Sequence, residues 1–388
     1  MDNQLPTFFG FSSLYLYFII ISVYLLLFRL KKVLFILNQP VAKIFILFFI
    51  ICFITEVFHS EPRFYMYSRT MLMFIASIQV GALFDHKSSY PFIIYALGLS
   101  GILISNNIYG SIYSQLNSFS QQGLTIQEVD ALRASLDVTE LIKENLNRVA
   151  NYLGLSGVIS YFFATESKTK FKKYLFFSIS IMSIFFAFMP MSRSAIFIIF
   201  ATMFFVMFSF KMVKKSIIIF IIVGFILQTF IPSIIIDRFI GTTKLAAEAE
   251  VGLDLLDSKD SRFRMYGKVL KHFWEPMPFG VGEGNYWGDW GLNSSFAKGY
   301  RIGGTHNTFL QIYFQWGILP LFLFCLFMRK LYLIIMKNIS LNNSSYGKIQ
   351  LSFYLYAFFL LFFTHNIYLK LFSICFGINL GLSNKHNE

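Results

Sequence analysis

The sequence predicts an all-α, polytopic integral membrane protein with about eleven (10–12) transmembrane helices and one large outer loop containing short helices. Three observations predict it. Of 388 residues 56% are hydrophobic and only 14% charged, where a soluble domain carries about a quarter charged, and mean hydropathy is +0.61. Apolar runs such as Phe8 to Phe28, Ser216 to Ile236 and Thr308 to Phe327 are long enough to cross a hydrocarbon layer of about 30 Å. The loops between such runs are basic at alternate positions along the chain.

The spans fall near 8–28, 41–58, 70–83, 91–108, 152–165, 174–190, 195–210, 216–236, 308–327, 349–365 and 367–382. Together they read as one membrane domain over 1–388. Arg29 to Lys32, Lys168 to Lys173, Lys211 to Lys215 and Arg329 to Lys348 are the basic loops, and the positive-inside rule makes them cytoplasmic. The only acids on that side are Asp85, Glu166 and Glu388. The net charge of +13 is therefore a topology signal and excludes a nucleic-acid partner. It places the N-terminus outside and the C-terminus inside. No cleavable signal peptide is expected, because residues 1–7 lack a basic region and the first apolar run is too long. Cys52, Cys325 and Cys375 all lie in apolar runs, too far apart for a metal motif or a disulfide framework.

Two outer loops stand out. Residues 109–151 form the first, whose Leu132, Leu136, Leu141 and Leu146 recur at helical spacing and predict amphipathic surface helices. Residues 237–308 form the second, longer than any connector requires and rich in Trp, Tyr and Gly. Loops of that length are functional or disordered, and this composition speaks against disorder.

The candidate chemistry sits around this second loop. Arg262 to Phe273 has helical periodicity and stops before the turn-forming "EPMPFGVGEG". Arg262 and Arg264 stand at the helix start, where the dipole disfavours cations but a docked anion would welcome them; two solvated arginines are the alternative. Arg193, in "FMPMSRSAIFIIF", occupies a short outer link against the charge bias, flanked by Ser192 and Ser194. An ionisable residue there is costly and often functional, although a snorkelling arginine would look the same. Tyr286, Trp287, Trp290 and Tyr300 suit either a platform for sugar rings or an interfacial belt. Gly280, Gly282 and Gly284 have the wrong spacing and context for a nucleotide loop. Asp254, Asp257 and Asp260 lack the His or carboxylate neighbours of a metal site, so no metal and no cofactor is expected.

His306, in "GGTHNTFLQIYFQWGILP", stands where the loop returns to the membrane, at the mouth of the expected span 308–327. Paired arginines clamp a diphosphate through forked donors at any working pH. An imidazole with an ordinary pKa near 6.5 accepts a hydroxyl proton near neutrality. The set suits glycosyl transfer from a lipid-linked diphosphate sugar to an acceptor hydroxyl.

Three stretches, spanning about 190–325, resemble the O-antigen polymerase and ligase superfamily of bacterial envelope enzymes. "MSRSAIFIIF" is similar to the family's Ser-Arg-Ser/Thr helix start. "SRFRMYGKVLKHFWEPMPFGVGEGNY" resembles its Arg-x-x-x-Trp helix followed by Pro-Leu-Phe-Gly-x-Gly, with Tyr266 in place of the Trp. "HNTFLQIYFQWGILP" matches its His-Asn and spaced Gly, with nine residues between the pair and Gly317; Pro320 stands where the ligase form has Gly. The family has an even number of spans with both termini inside, against eleven read here.

The resemblance implies that Arg193 and Arg262 bind the diphosphate and that His306 is the catalytic base or a partner of the acceptor; Arg264, at the same expected helix start as Arg262, is a further candidate for the diphosphate. Tyr286, Trp287 and Trp290 are the candidate sugar-stacking residues. It implies an inverting, metal-independent glycosyltransferase of the bacterial inner membrane, with its site facing the periplasm. The donor would be a polyprenyl-diphosphate-linked oligosaccharide, the surroundings membrane lipid, and the partners a flippase and a chain-length regulator of the same pathway. The Pro320 departure favours a polymerase over a ligase acting on lipid A–core. A lipid-linked oligosaccharide flippase is the reading from another class. It is disfavoured because the charges sit in loops and at outer helix ends rather than at the bilayer midplane.

Overall fold

The computed structural model describes residues 7–8, 11–59, 62, 64–83, 91, 146–188, 192–212, 273–274, 276–283, 307–342, 347–363 and 370–382. Apart from a two-residue antiparallel pairing, β1 (Thr7–Phe8) with β2 (Phe11–Ser12), the described elements are helices. In chain order they are α1 (Ser13–Phe28), α2 (Leu30–Asn38), α3 (Pro40–Val57), α4 (Tyr65–Leu83), α5 (Leu146–Glu166) and α6 (Lys170–Phe188). They continue as α7 (Arg193–Ser209), α8 (Thr308–Trp316), α9 (Ile318–Asn342), α10 (Gly347–Phe363) and α11 (Lys370–Leu382).

Three described helices are long and apolar enough to cross a membrane: α3, α6 and, over Ile318–Ser340, α9. At 17 residues each, α7 and α10 sit at the short end of the spanning range. The chain is a multi-pass, helical membrane protein. The expected spans 91–108 and 216–236 lie outside the described residues, apart from Pro91, as does the stretch 109–145 of the first outer loop.

Three expectations are corrected. The first span begins at Ser13, because residues 7–8 pair with 11–12. The basic stretch from Arg29 to Lys32 does not run on as loop; from Leu30 it is the start of α2, which buries Ile36 and leaves Lys31, Leu34 and Phe35 exposed. Most of the expected loop Arg329 to Lys348 is also helical, since α9 runs to Asn342.

The helices group into two compact units. One holds α5, α6, α7 and α10 up to Tyr356. Here α5 uses small residues to draw its neighbours close. A Cβ on Gly154 would lie 2.5 Å from the Tyr356 hydroxyl and 2.7 Å from Ile199. The Tyr356 hydroxyl donates to Asn151 O at 2.8 Å, and Ser180 Oγ donates to Gly157 O at 2.8 Å. Lys348 pairs with Glu166 and lies over the Phe210 ring.

The other unit holds α2, α3, α4, α8, α9, α11 and the rest of α10. α4 and α11 cross at glycines: a Cβ on Gly381 would meet Gly81 O at 2.4 Å, and one on Gly377 would meet Ser77 O at 2.5 Å. α3 and α9 run antiparallel through a ladder of rings, Phe45 on Phe327 at 4.3 Å and Phe48 on Phe324 at 5.7 Å. Such small-residue and ring contacts are what hold helices together where lipid removes the hydrophobic driving force.

Candidate functional site

Each unit carries one part of the candidate chemistry. In the first, Ser192 is the N-cap of α7: its extended backbone (φ −88°, ψ 100°) lets Oγ accept from Ala195 N at 3.5 Å, and Ser194 Oγ lies 3.3 Å away. Serine is a favoured cap because its oxygen satisfies one of the four free N–H groups of the first turn. Arg193 is thereby the first residue of α7, half-buried, with Ser192 and Ser194 buried on either side. A guanidinium at the positive end of a helix is poorly placed for stability, but the same end attracts anions.

In the second unit the stretch expected as one span, 308–327, is two helices. α8 is nine residues long, and Asn307 caps it through Oδ1, which accepts from Phe309 N at 3.0 Å and Leu310 N at 3.1 Å. It ends at Gly317, which has φ +91°. Along a continuous helix Phe309 and Phe324 would stand about 22 Å apart; their rings are 5.7 Å apart. The chain therefore bends back at Gly317, bringing Phe309 in the first turn of α8 against Phe324 of α9. Phe309 also packs on Phe362 of α10 at 4.9 Å.

The break packs against the glycine-rich turn 276–283. Ile318 N donates to Pro278 O at 3.1 Å, and Val281 N donates to Phe314 O, a carbonyl in the last turn of α8, at 2.7 Å. A Cβ on Gly317 would lie 2.0 Å from Pro278 O, and one on Gly280 (φ +78°) would lie 2.4 Å from Gln315 O. Two backbones meet there with no room for side chains. Pro320 falls in the first turn of α9, where its missing N–H costs nothing. Replacing Gly317 by valine is expected to reduce folded, membrane-extractable protein several-fold. Fluorescence size-exclusion of a tagged chain reads this, and a wild-type profile would contradict the backbone contact.

The turn is fastened by a residue that the sequence reading does not single out. Glu56, fully buried at the end of α3, accepts from Glu283 N at 3.1 and 3.0 Å, one to each carboxylate oxygen, and from Trp316 Nε1 at 3.2 Å. Glu283, also buried, accepts in turn from Tyr67 N at 3.3 Å, near the start of α4. His59 Nε2 lies 3.2 Å from Phe279 O, and the Tyr313 hydroxyl donates to Phe273 O at 2.5 Å. One buried carboxylate therefore joins α3, the turn and the C-terminal end of α8. The sequence does carry a signal for it: a lone acid in an otherwise apolar run marks a site when it lies within a membrane helix.

Of the candidate catalytic, diphosphate-binding and sugar-stacking residues, only Arg193 lies among the described residues. Arg262, Arg264, Tyr286, Trp287, Trp290 and His306 lie outside them. Among the described residues, no group of three His, Cys, Asp or Glu is placed to hold a metal ion.

The class these observations define is a helical membrane protein with a capped arginine at one helix start and a broken, folded-back helix after the His-Asn pair. Residues 150–325 match the model of a protein family described as O-antigen ligase. Over that segment, a little under half of the chain, the protein is similar to the O-antigen ligase family, which agrees with the resemblance seen in its motifs. The match takes in Arg193, Arg262, Arg264, His306 and Gly317. No curated protein matches the chain.

Proposed function

We propose that the protein is a surface-polysaccharide polymerase working on the periplasmic face of the bacterial inner membrane. It would transfer a glycan from a polyprenyl-diphosphate carrier to a hydroxyl of a new lipid-linked repeat unit, without metal and with inversion at the anomeric carbon. The observation that carries this reading is the family match over 150–325, which takes in both the Arg193 helix start and the His-Asn-to-Gly317 stretch. In this scheme Arg193, Arg262 and Arg264 hold the diphosphate. His306 takes the proton from the acceptor hydroxyl as its oxygen attacks the anomeric carbon. The diphosphate leaves with the bonding electron pair, stabilised by the forked donors. Tyr286, Trp287 and Trp290 stack against sugar rings. A flippase and a chain-length regulator would be the partners in the membrane.

Ligation to lipid A–core is the second reading, since the same family holds both activities. Deletion of the gene separates them: a polymerase deletion leaves core capped with one repeat unit, whereas a ligase deletion leaves bare core. Arg193→Lys and Arg262→Lys are each expected to lose most activity while the protein stays in the membrane, because lysine keeps the charge and loses the planar fork. Gel analysis of surface glycan with immunoblotting of membranes checks this; full activity in both variants would remove the arginines from the diphosphate site.

A further inference from the structure

We infer that Thr308, Gln311 and Gln315 form a subsite on α8 that binds sugar hydroxyls of the acceptor glycan. This deepens the glycosyl-transfer reading and rests on it. The three residues recur at helical spacing and are 0%, 2% and 0% exposed. At about 100° per residue they fall on the side of α8 away from Phe309, Tyr313 and Trp316, the residues that pack on α9, Phe273 and Glu56. Gln311 Nε2 donates to Gln315 Oε1 at 3.3 Å. That bond leaves Gln311 Oε1 and Gln315 Nε2 without a hydrogen-bond partner among the described residues, although both are buried.

Buried polar atoms are nearly always satisfied, so a donor and an acceptor left unmatched on one face need a partner, either water or a ligand. The chemistry of the pair narrows the choice. It presents one acceptor oxygen beside one donor amide. A phosphate accepts only and would be repelled by Gln311 Oε1; an ammonium donates only and would be repelled by Gln315 Nε2. A hydroxyl both donates and accepts, and neighbouring hydroxyls on a sugar ring answer both amides together. An alkyl or isoprenoid chain answers neither. The position agrees: α8 begins one residue after Asn307, the neighbour of His306, so the stripe starts on the first turn beyond the proposed base. A general base must stand within hydrogen-bond reach of the acceptor hydroxyl, and the rest of that sugar needs a polar surface close by. Sites that hydrogen-bond a hydroxyl also reject rings that lack it by large factors, so the stripe would set which acceptor sugar is used.

The test is binding rather than turnover. The probe is the free oligosaccharide released by mild acid from the host's own lipid-linked repeat unit, added to the full-length protein in lipid nanodiscs. Wild type is expected to bind it saturably. Gln311→Met and Gln315→Met are each expected to weaken binding at least about 10-fold, with inorganic pyrophosphate binding unchanged; each alone strands the other amide, so the double variant, which removes both partners, is the one expected to unfold no earlier than wild type. Gln311→Asn, which keeps the amide but withdraws it by one methylene, is expected to show the same loss and guards against a folding defect in the methionine variants. Unchanged affinity in these variants, as expected if the amides hold only water, overturns the subsite, as does absence of saturable binding to wild type. If the glycan binds and the glutamine variants lose it while no transfer occurs, the subsite stands and the transferase reading falls. If transfer occurs and the variants bind and react normally, the subsite falls and the transferase reading stands.

Discussion

His306→Ala is expected to abolish glycan extension, while His365→Ala leaves substantial activity. The chain contains two Thr-His-Asn triplets, at Thr305 to Asn307 and at Thr364 to Asn366. If the motif were only a helix start with a polar anchor, both histidines would behave alike. Asn307 does act as an N-cap, accepting from Phe309 N and Leu310 N, so part of the first triplet has a structural task. The two triplets differ in the chain beyond them. The first opens a short helix that reverses at Gly317 against the glycine-rich turn. The second lies between α10, which ends at Phe363, and α11, which begins at Lys370. Loss of a general base costs about 10²–10⁴-fold in rate, enough to erase a glycan ladder on a gel. Equal and mild effects at both positions would sink the catalytic role of His306, and a severe loss only at His365 would transfer it to the other triplet.

Glu56→Ala is expected to remove activity without touching any proposed substrate-binding residue. Its carboxylate accepts from Glu283 N and from Trp316 Nε1 inside a fully buried site. Hydrogen bonds to a charged group are worth about 1.5–3 kcal/mol each. Alanine therefore costs about 3 kcal/mol or more and leaves two buried donors unpaired. The turn 276–283 and the end of α8 then lose their common fastening to α3, and the start of α8 loses its fixed position. Glu56→Gln keeps the shape and one oxygen, so it retains part of the interaction and is expected to fall between wild type and alanine. Trp316→Phe removes a single donor and should be milder than Glu56→Ala. Thermal unfolding of the purified variants, measured beside transfer activity, checks the order; wild-type stability in Glu56→Ala would show that the carboxylate carries no such role.

The helices most legible in the sequence are those bounded by charge or proline. Hydropathy places one span at 41–58, and α3 is Pro40–Val57; it places another at 195–210, and α7 is Arg193–Ser209. There the hydropathy of the run and the residues at its ends give the same answer. The break at Gly317 is hidden because hydropathy averages over 308–327 without noticing a turn. Local signs of it exist in Asn307 as a cap and in Gly317 with Pro320 beyond it. What sequence cannot show is the non-local contact: the backbone of Pro278, far away in the chain, occupies the space a Cβ at Gly317 would need, so only glycine fits there. In sequence Glu56 looks like a charge at the edge of a span, whereas its burial and three accepted hydrogen bonds make it the centre of a layer. In the candidate site, the cap before Arg193 is written in the Ser-Arg-Ser stretch. The unmatched amide atoms on α8 are not, because Gln311 and Gln315 carry no sign in sequence of which partners they lack.

The most direct measurement uses the purified protein in nanodiscs with polyprenyl-diphosphate-linked repeat units as the sole substrate and a chelator present. Lipid-linked products of two and more repeats are predicted, with one polyprenyl diphosphate released for every repeat joined and none of either with His306→Ala. Repeat units that stay unjoined, with no diphosphate released by wild type, would contradict the account.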